Sequence, residues 1–283
     1  KYDVGSFAGM VVYLAVVMGA MHALFYGFNK ILKENFHRAL AAGGICVLVP
    51  LLMAFEGWDD HDRSNRYFAR DFANNYLESC LPNAILFTEG DNDTYPLWYA
   101  QEVEGIRPDV KIVNLSLLGV DWYINHLRRA TNSAPPIKMT LDSIHIRGDR
   151  LNQVYFDKES KQADRKMDLR DVLQNSIKVG AGLPTQQLTL PVDVNKVREN
   201  GIVHESWADY ITPEIDFKLT KKTLGKNNLM VLDIIASNQW ERPIYFALTV
   251  SPSNHMGLQK YLQQCGMAYK FTPVEIPGLA SLN

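Results

Sequence analysis

An uncharged, almost wholly apolar run of roughly 22 residues reaches from Phe7 to Phe28, and a second from Ala39 to Phe55 follows after a polar link of about ten. A helix needs about 20 such residues to cross the hydrocarbon core, so the first run spans with some tilt and the second, about 17 residues, sits at the short end. The pattern predicts two transmembrane helices, over 7–28 and 39–55, in an N-terminal region 1–57. The link carries Lys30, Lys33 and Arg38 against Glu34, whereas Glu56, Asp59, Asp60 and Asp62 follow the second run around Trp58. Lys and Arg accumulate on the cytoplasmic side. The link is therefore expected inside, Trp58 at the interface, and residues 58–283 outside. Two buried core helices or a signal peptide would also give apolar runs, but the length of the first run, the missing cleavage-site pattern and the charge asymmetry favour an anchor.

Beyond the spans the period changes. Tyr67, Phe68, Phe72, Tyr76 and Leu77 recur at three- to four-residue spacing, which predicts an amphipathic helix within 62–80. A buried strand over 84–88, a turn from Glu89 to Asp93, a helix over 94–104 with Pro96 in its first turn, a strand over 110–117 and a helix over 122–130 follow. Strand, helix, strand, helix with a right-handed crossover makes the two strands parallel. A matching unit closes the chain: helix 228–237, strand 243–250, helix 256–264 and strand 268–274. The expected fold class is α/β, with a mostly parallel, Rossmann-like sheet in an extracytoplasmic domain. Residues 135–223 read as an irregular insertion with its own β-hairpins, drawn from alternating stretches at 137–146 and 214–219, a charge run at 157–170, and weak helices at 168–176 and 193–200.

Charge and cysteines change this picture little. Lys plus Arg number 29 against 31 Asp plus Glu, a net charge of −2, so no nucleic-acid footprint is present. Three cysteines are too few for a disulfide framework. Cys46 falls in the second span, and Cys80 and Cys265 either pair in an oxidising compartment or stay as buried thiols. The chain opens at Lys1, almost directly into a span, and is expected to be a piece of a longer polytopic protein whose N-terminal membrane half it lacks.

Candidate chemistry gathers after the strands. Ligands of open parallel sheets bind beyond the carboxyl ends of the strands. Asp91, Asn92 and Asp93 follow the first strand, Asp121 and Trp122 the second, and Ser251, Asn254 and His255 the strand 243–250. Two carboxylates one residue apart suit a hard divalent cation. They equally suit helix caps, because Asp and Asn accept hydrogen bonds from free backbone N–H groups; capping is the expected role. Tyr95, Trp98, Tyr99, Trp122 and Tyr123 suit either stacking on a sugar or ordinary packing. His145, His204 and His255 lack metal-ligand spacing, so no metal site is expected. Arg147 to Arg150 reads as a polar turn, and no phosphate loop, nucleophile elbow or zinc motif occurs. The candidate ligand-binding set is Asp91, Asn92, Asp93, Asp121, Trp122 and His255.

The stretch Ile85-Leu-Phe-Thr-Glu-Gly-Asp-Asn-Asp-Thr-Tyr-Pro-Leu-Trp-Tyr-Ala-Gln-Glu-Val-Glu-Gly105, continued by Arg107-Pro-Asp-Val-Lys-Ile-Val-Asn-Leu-Ser-Leu117 and Asp121-Trp-Tyr-Ile124, resembles the extracytoplasmic part of a family of large bacterial multi-spanning membrane proteins, long described only as a domain of unknown function. That family is related to the protein O-mannosyltransferase type of GT-C glycosyltransferases. The resemblance implies an inner-membrane enzyme, residues 58–283 lying on the periplasmic side, that moves a sugar from a lipid-phosphate carrier to a protein or glycan acceptor. Such enzymes place the catalytic acid in the first exterior loop, which this chain does not include, so no catalytic residue is carried over and no cofactor is expected in this fragment. The chain is then the exterior C-terminal portion, assisting acceptor positioning. The alternative is a membrane-tethered, non-catalytic glycan- or peptide-binding or assembly module; a parent with about ten spans would favour the first reading, and one with only these spans the second.

Overall fold

Helix α1 covers Val4–Gly27 and α2 covers Asn35–His61. The structure, a computed structural model, describes residues 4–28, 34–157 and 159–275, apart from the side chains of 4–11, 13, 60 and 61. The chain divides into two compact units, residues 1–66 and 67–283, each taken by itself below. Lys30 and Lys33, on which the expected charge asymmetry partly rests, lie outside the described residues.

Among the described residues, one helix is long and apolar enough to cross a membrane, Asn35–Asp59, with a mean hydropathy of 2.0; the apolar helix Leu14–Gly27 is shorter. Only 6% of the α2 window is buried, and Leu40, Leu48, Leu51 and Phe55 all stand exposed. A soluble protein would cover that much apolar surface. Helical hydrogen bonding pairs the backbone within the segment, as a hydrocarbon environment demands, except at Pro50, which has no N–H to donate.

The second unit begins with α3 (Phe68–Glu78). There follow β1 (Ile85–Thr88), α4 (Asp91–Glu102), β2 (Lys111–Asn114), α5 (Asp121–Leu127), α6 (Ser143–Ile146), β3 (Gln153–Tyr155), β4 (Met167–Asp168), α7 (Leu169–Val172), β5 (Gln187–Pro191), α8 (Val194–Glu199), β6 (Glu214–Lys218), β7 (Thr223–Gly225), α9 (Lys226–Asn238), β8 (Ile244–Ala247), β9 (Leu262–Cys265) and β10 (Ala268–Phe271). The main sheet has the order β2-β1-β8-β10-β9. Ile85 pairs in parallel with both Lys111 and Ile244, while β10 runs antiparallel to β8 and β9 antiparallel to β10.

The sheet is thus mixed, not mostly parallel. The difference arises at 256–264, where the expected helix does not form. Met256 and Gly257 have φ of +53° and +81°, outside the helical basin, and a Cβ on Gly257 would meet the Lys218 carbonyl oxygen at 2.3 Å. A short 3₁₀ turn at Gln259–Tyr261 leads into β9, and Gly266, at φ +57°, turns the chain back into β10. The alternating stretch at 137–146 also departs from expectation: it is loop plus the one-turn α6. Its backbone is claimed by Asp233 of α9, a fully buried carboxylate that accepts the N–H groups of Thr140 (2.8 Å) and Leu141 (3.0 Å). The insertion carries two small sheets, β3-β7 and β4-β5-β6, whose antiparallel partners are separated by helices and loops instead of hairpin turns.

Helix α9 is buried nearly all round because it is the core helix: Leu229, Val231, Leu232 and Ile234 have no exposure. Phe87 of β1 stacks on Phe246 of β8 at 4.9 Å between ring centroids, both fully buried. Each such side chain contributes about 1.5–3 kcal/mol by leaving water. At the other end of β1, Arg107 donates to the carbonyls of Leu77, Cys80 and Leu81 and pairs with Asp109 at 2.8 Å, so it caps the end of α3 with charge-assisted bonds.

Candidate functional site

Parallel pairing of β2, β1 and β8 puts their carboxyl ends on one edge, and the loops that leave them meet at Glu89. Its carboxylate accepts the backbone N–H of Ser251, the Ser251 hydroxyl at 3.2 Å and the Asn254 side-chain amide at 2.7 Å. Its carbonyl accepts the Ser116 hydroxyl at 2.6 Å. Asn254 in turn accepts from the Lys221 ammonium at 2.9 Å, and Lys221 also donates to Asn228 at 3.0 Å. Burial pushes the Lys221 ammonium below its ordinary pKa, and the Glu89 charge opposes the change. Carboxylate, amide and ammonium form one chain across the edge, which fixes the orientation of the Asn254 amide.

Asp93 is buried at 3% exposure, and its oxygens are taken up by the backbone N–H groups of Gly90 (3.0 Å) and Glu89 (3.1 Å) and by the Thr249 hydroxyl. Helix α4 begins one turn earlier than its sequence suggests, with Gly90 as the cap and Asp93 in the first turn reaching back to it. Asp91 and Asn92 stand exposed on that same first turn. Beneath them Thr94 bonds Thr88 (2.7 Å) and Asn114 (2.8 Å), locking α4 to β1 and β2.

Asp121 opens α5, and its carboxylate accepts the Lys226 ammonium at 2.9 Å and the Gly148 N–H. Lys226 is 3% exposed and completes its donors on the carbonyls of Ile146 (2.8 Å) and Gly148 (2.6 Å). The ammonium holds the Asp121 carboxyl below the usual carboxylate range, with Gly148 adding to it. Tyr123 points inward, its hydroxyl accepting the Asn114 N–H at 2.8 Å; its neighbour Trp122 consequently faces out, 63% exposed, with an edge contact to the Tyr123 ring. His255 lies inside, between Phe246 and Tyr269 at 5.4 and 5.8 Å, its Nε2 buried without a hydrogen-bond partner. Burial pushes the imidazole down from its ordinary pKa, so it is neutral near pH 7.

The six sequence-predicted residues therefore fall into two groups. Asp91, Asn92 and Trp122 present side chains to solvent; Asp93, Asp121 and His255 are engaged within the fold. Sequence reasoning did not single out Glu89, Lys221, Asn228 or Lys226, which join the loops. The available signal was Glu89 directly after a buried strand, masked by its turn-like neighbours. Among the described residues no three His, Cys, Asp or Glu side chains converge to hold a metal ion. Of the other aromatics, Trp98 and Tyr123 line a separate cleft of about 270 Å³ beside β2, and Tyr95 and Tyr99 are half-exposed. The edge offers hydroxyl, amide, carboxylate and indole groups, suited to hydrogen bonding and stacking.

The sequence pattern of the family described as TMEM260-associated domain 2 matches residues 69–282. The protein O-mannosyl-transferase TMEM260 of Mus musculus is 28% identical over 156 residues, which cover 52% of this chain and 21% of that protein. The chain thus spans about a fifth of that relative's length. No solved structure matches.

Proposed function

The chain belongs to the TMEM260-associated domain 2 family, and from that membership we propose that it is the extracytoplasmic C-terminal portion of a membrane glycosyltransferase of the GT-C, lipid-phosphate-sugar-dependent type. In this reading α1 and α2 both span the bacterial inner membrane, the residues after α2 lie in the periplasm, and the parallel half of the sheet is the Rossmann-like element. The catalytic acid and the sugar donor belong to other parts of the parent protein. The domain's contribution is to position a protein or glycan acceptor at the carboxyl edge of β2, β1 and β8.

The observation that carries this is the convergence of three loops on Glu89, with Trp122 facing outward at the start of α5, the helix that follows β2. A rigid base bearing exposed polar groups and one exposed indole is what a weakly held, hydroxyl-rich or extended ligand requires. Asp91, Asn92 and Trp122 make the contacts; Asp93, Asp121 and His255 hold their loops in place. The relation to an O-mannosyl-transferase supports a sugar-transfer context. To test it, Trp122 is replaced by a photo-crosslinking phenylalanine analogue in the full-length protein in its own host, and the adducts formed on irradiation are identified by mass spectrometry. Extracytoplasmic polypeptides or glycans are expected. Adducts confined to cytoplasmic proteins would contradict the reading.

A further inference from the structure

Away from that edge, the insertion holds a cleft of about 610 Å³ between β3 and the loop Val179–Gly182. That volume lies within the range of small-molecule sites. The cleft is lined by three basic side chains, His145, Arg150 and Lys178, and by no acidic one.

These groups have donors left over. Arg150 places one guanidinium nitrogen on the Ile144 carbonyl at 2.9 Å. Among the described residues, the charged partner of Lys178 is the Asp142 carboxylate, at 3.6 Å, beyond direct hydrogen bonding. Nδ1 of His145 is buried with no hydrogen-bond partner, 3.8 Å from the same carboxylate. Asp142 is 62% exposed and outside the lining, so this solvated acid stands near Lys178 and His145 without entering the cleft. A basic surface in solvent spreads its charges apart; here they meet in a concavity around an unsatisfied buried nitrogen.

The apolar side of the cleft is as specific. Tyr155 of the lining stands 59% exposed, and Val179, 72% exposed, lies on the loop Val179–Gly182. That loop seats against β3 through Gly182, where a Cβ would lie 2.6 Å from the Tyr155 carbonyl oxygen. An exposed phenol ring beside unspent cationic donors matches a ligand with one flat, weakly polar face and one oxyanion, which guanidinium binds bidentately.

We propose that this cleft binds an acidic saccharide, a hexose-sized body carrying a carboxylate or phosphate, with Arg150 and Lys178 on the oxyanion and Tyr155 against the sugar face. The site shares no residue with the sheet edge around Trp122, so it stands or falls independently of the acceptor reading.

The full chain in detergent micelles is titrated calorimetrically with glucuronate, glucose 6-phosphate, inorganic phosphate and uncharged glucose. One of the two acidic sugars is expected to bind saturably, with a Kd below about 1 mM, and glucose at least about tenfold more weakly. The tighter of the two identifies the oxyanion. Arg150→Gln and Lys178→Gln should each weaken that binding by about fivefold or more, with melting temperatures unchanged because both side chains reach solvent. Tyr155→Ala should weaken the sugar and spare inorganic phosphate, and Trp122→Ala should alter neither. The proposal is overturned by an absence of saturable binding up to about 10 mM, by equal affinity for glucose, by binding of inorganic phosphate alone, or by binding indifferent to both Arg150→Gln and Lys178→Gln.

Discussion

The carboxylate of Glu89 accepts the side-chain amide of Asn254 at 2.7 Å, tying the loop after β1 to the loop after β8 across 165 residues of sequence. Ser251 binds the same carboxylate through its backbone N–H. Replacing Glu89 by Ala leaves a half-buried N–H and amide without acceptors, and an unsatisfied group of this kind costs about 1–3 kcal/mol. Glu89→Gln retains one acceptor oxygen and should lose less. Chemical denaturation of the full chain checks the ordering; equal stability of wild type and Glu89→Ala would contradict the role of this carboxylate.

Asp93 acts at the start of α4. Its loss removes the acceptor of two backbone N–H groups, so Asp93→Ala should lower stability by about 0.5–2 kcal/mol. Asp91→Ala, at an exposed position, should change it little. Neither variant should alter the response of the melting temperature to Ca²⁺, Mg²⁺ or Mn²⁺. A saturable rise of the wild-type melting temperature with one of these ions, abolished by Asp91→Ala, would show instead that the pair binds a cation.

Acid should reveal the joint between Asp121 and Lys226. The folded-state pKa of Asp121 is depressed from an ordinary value of 3.8, so its stabilisation is fully present above that value and lost as pH falls through the lower, folded one. Asp121→Asn should melt below wild type at pH 6, and the gap should close as the pH drops below about 4. Lys226→Met should cost about 1–3 kcal/mol, since the carbonyls of Ile146 and Gly148 lose their donor while Asp121 regains water. A pH-independent gap for Asp121→Asn would rule out the ion pair as its cause.

How much of this was legible in the chain differs from element to element. The buried strands β1, β2 and β8 could be read because each is a short apolar run bounded by turn residues, and α9 because its apolar run is too long for a strand. Strand β9 could not. Leu258, Tyr261, Leu262 and Cys265 fall at helical spacing, and only pairing with β10 together with the positive φ at Met256 and Gly257 decides against a helix. The loops beyond the strand ends could be named from the sequence, but not what joins them, because the partners of Glu89 are distant in sequence. Nor does sequence say which of Trp122 and Tyr123 turns inward; the bond from Asn114 to the Tyr123 hydroxyl does.

The proposed topology, with the residues after α2 outside, rests on the charge pattern around the two apolar runs. With the native cysteines replaced by serine, a cysteine at Lys161, an exposed position in the insertion, should react with a membrane-impermeant maleimide in intact spheroplasts. Labelling only after lysis would place the domain in the cytoplasm and remove the acceptor reading with it.

The most direct measurement is a quantitative comparison of glycosylated peptides from cell-envelope proteins in three strains of the native host: wild type, one lacking the full-length protein, and one carrying Trp122→Ala at normal abundance. The account predicts that a set of hexosylated peptides disappears in the deletion strain and falls several-fold, on the scale of about 1 kcal/mol or more for a lost aromatic contact, in the Trp122→Ala strain. An envelope glycan profile unchanged by the deletion would contradict it.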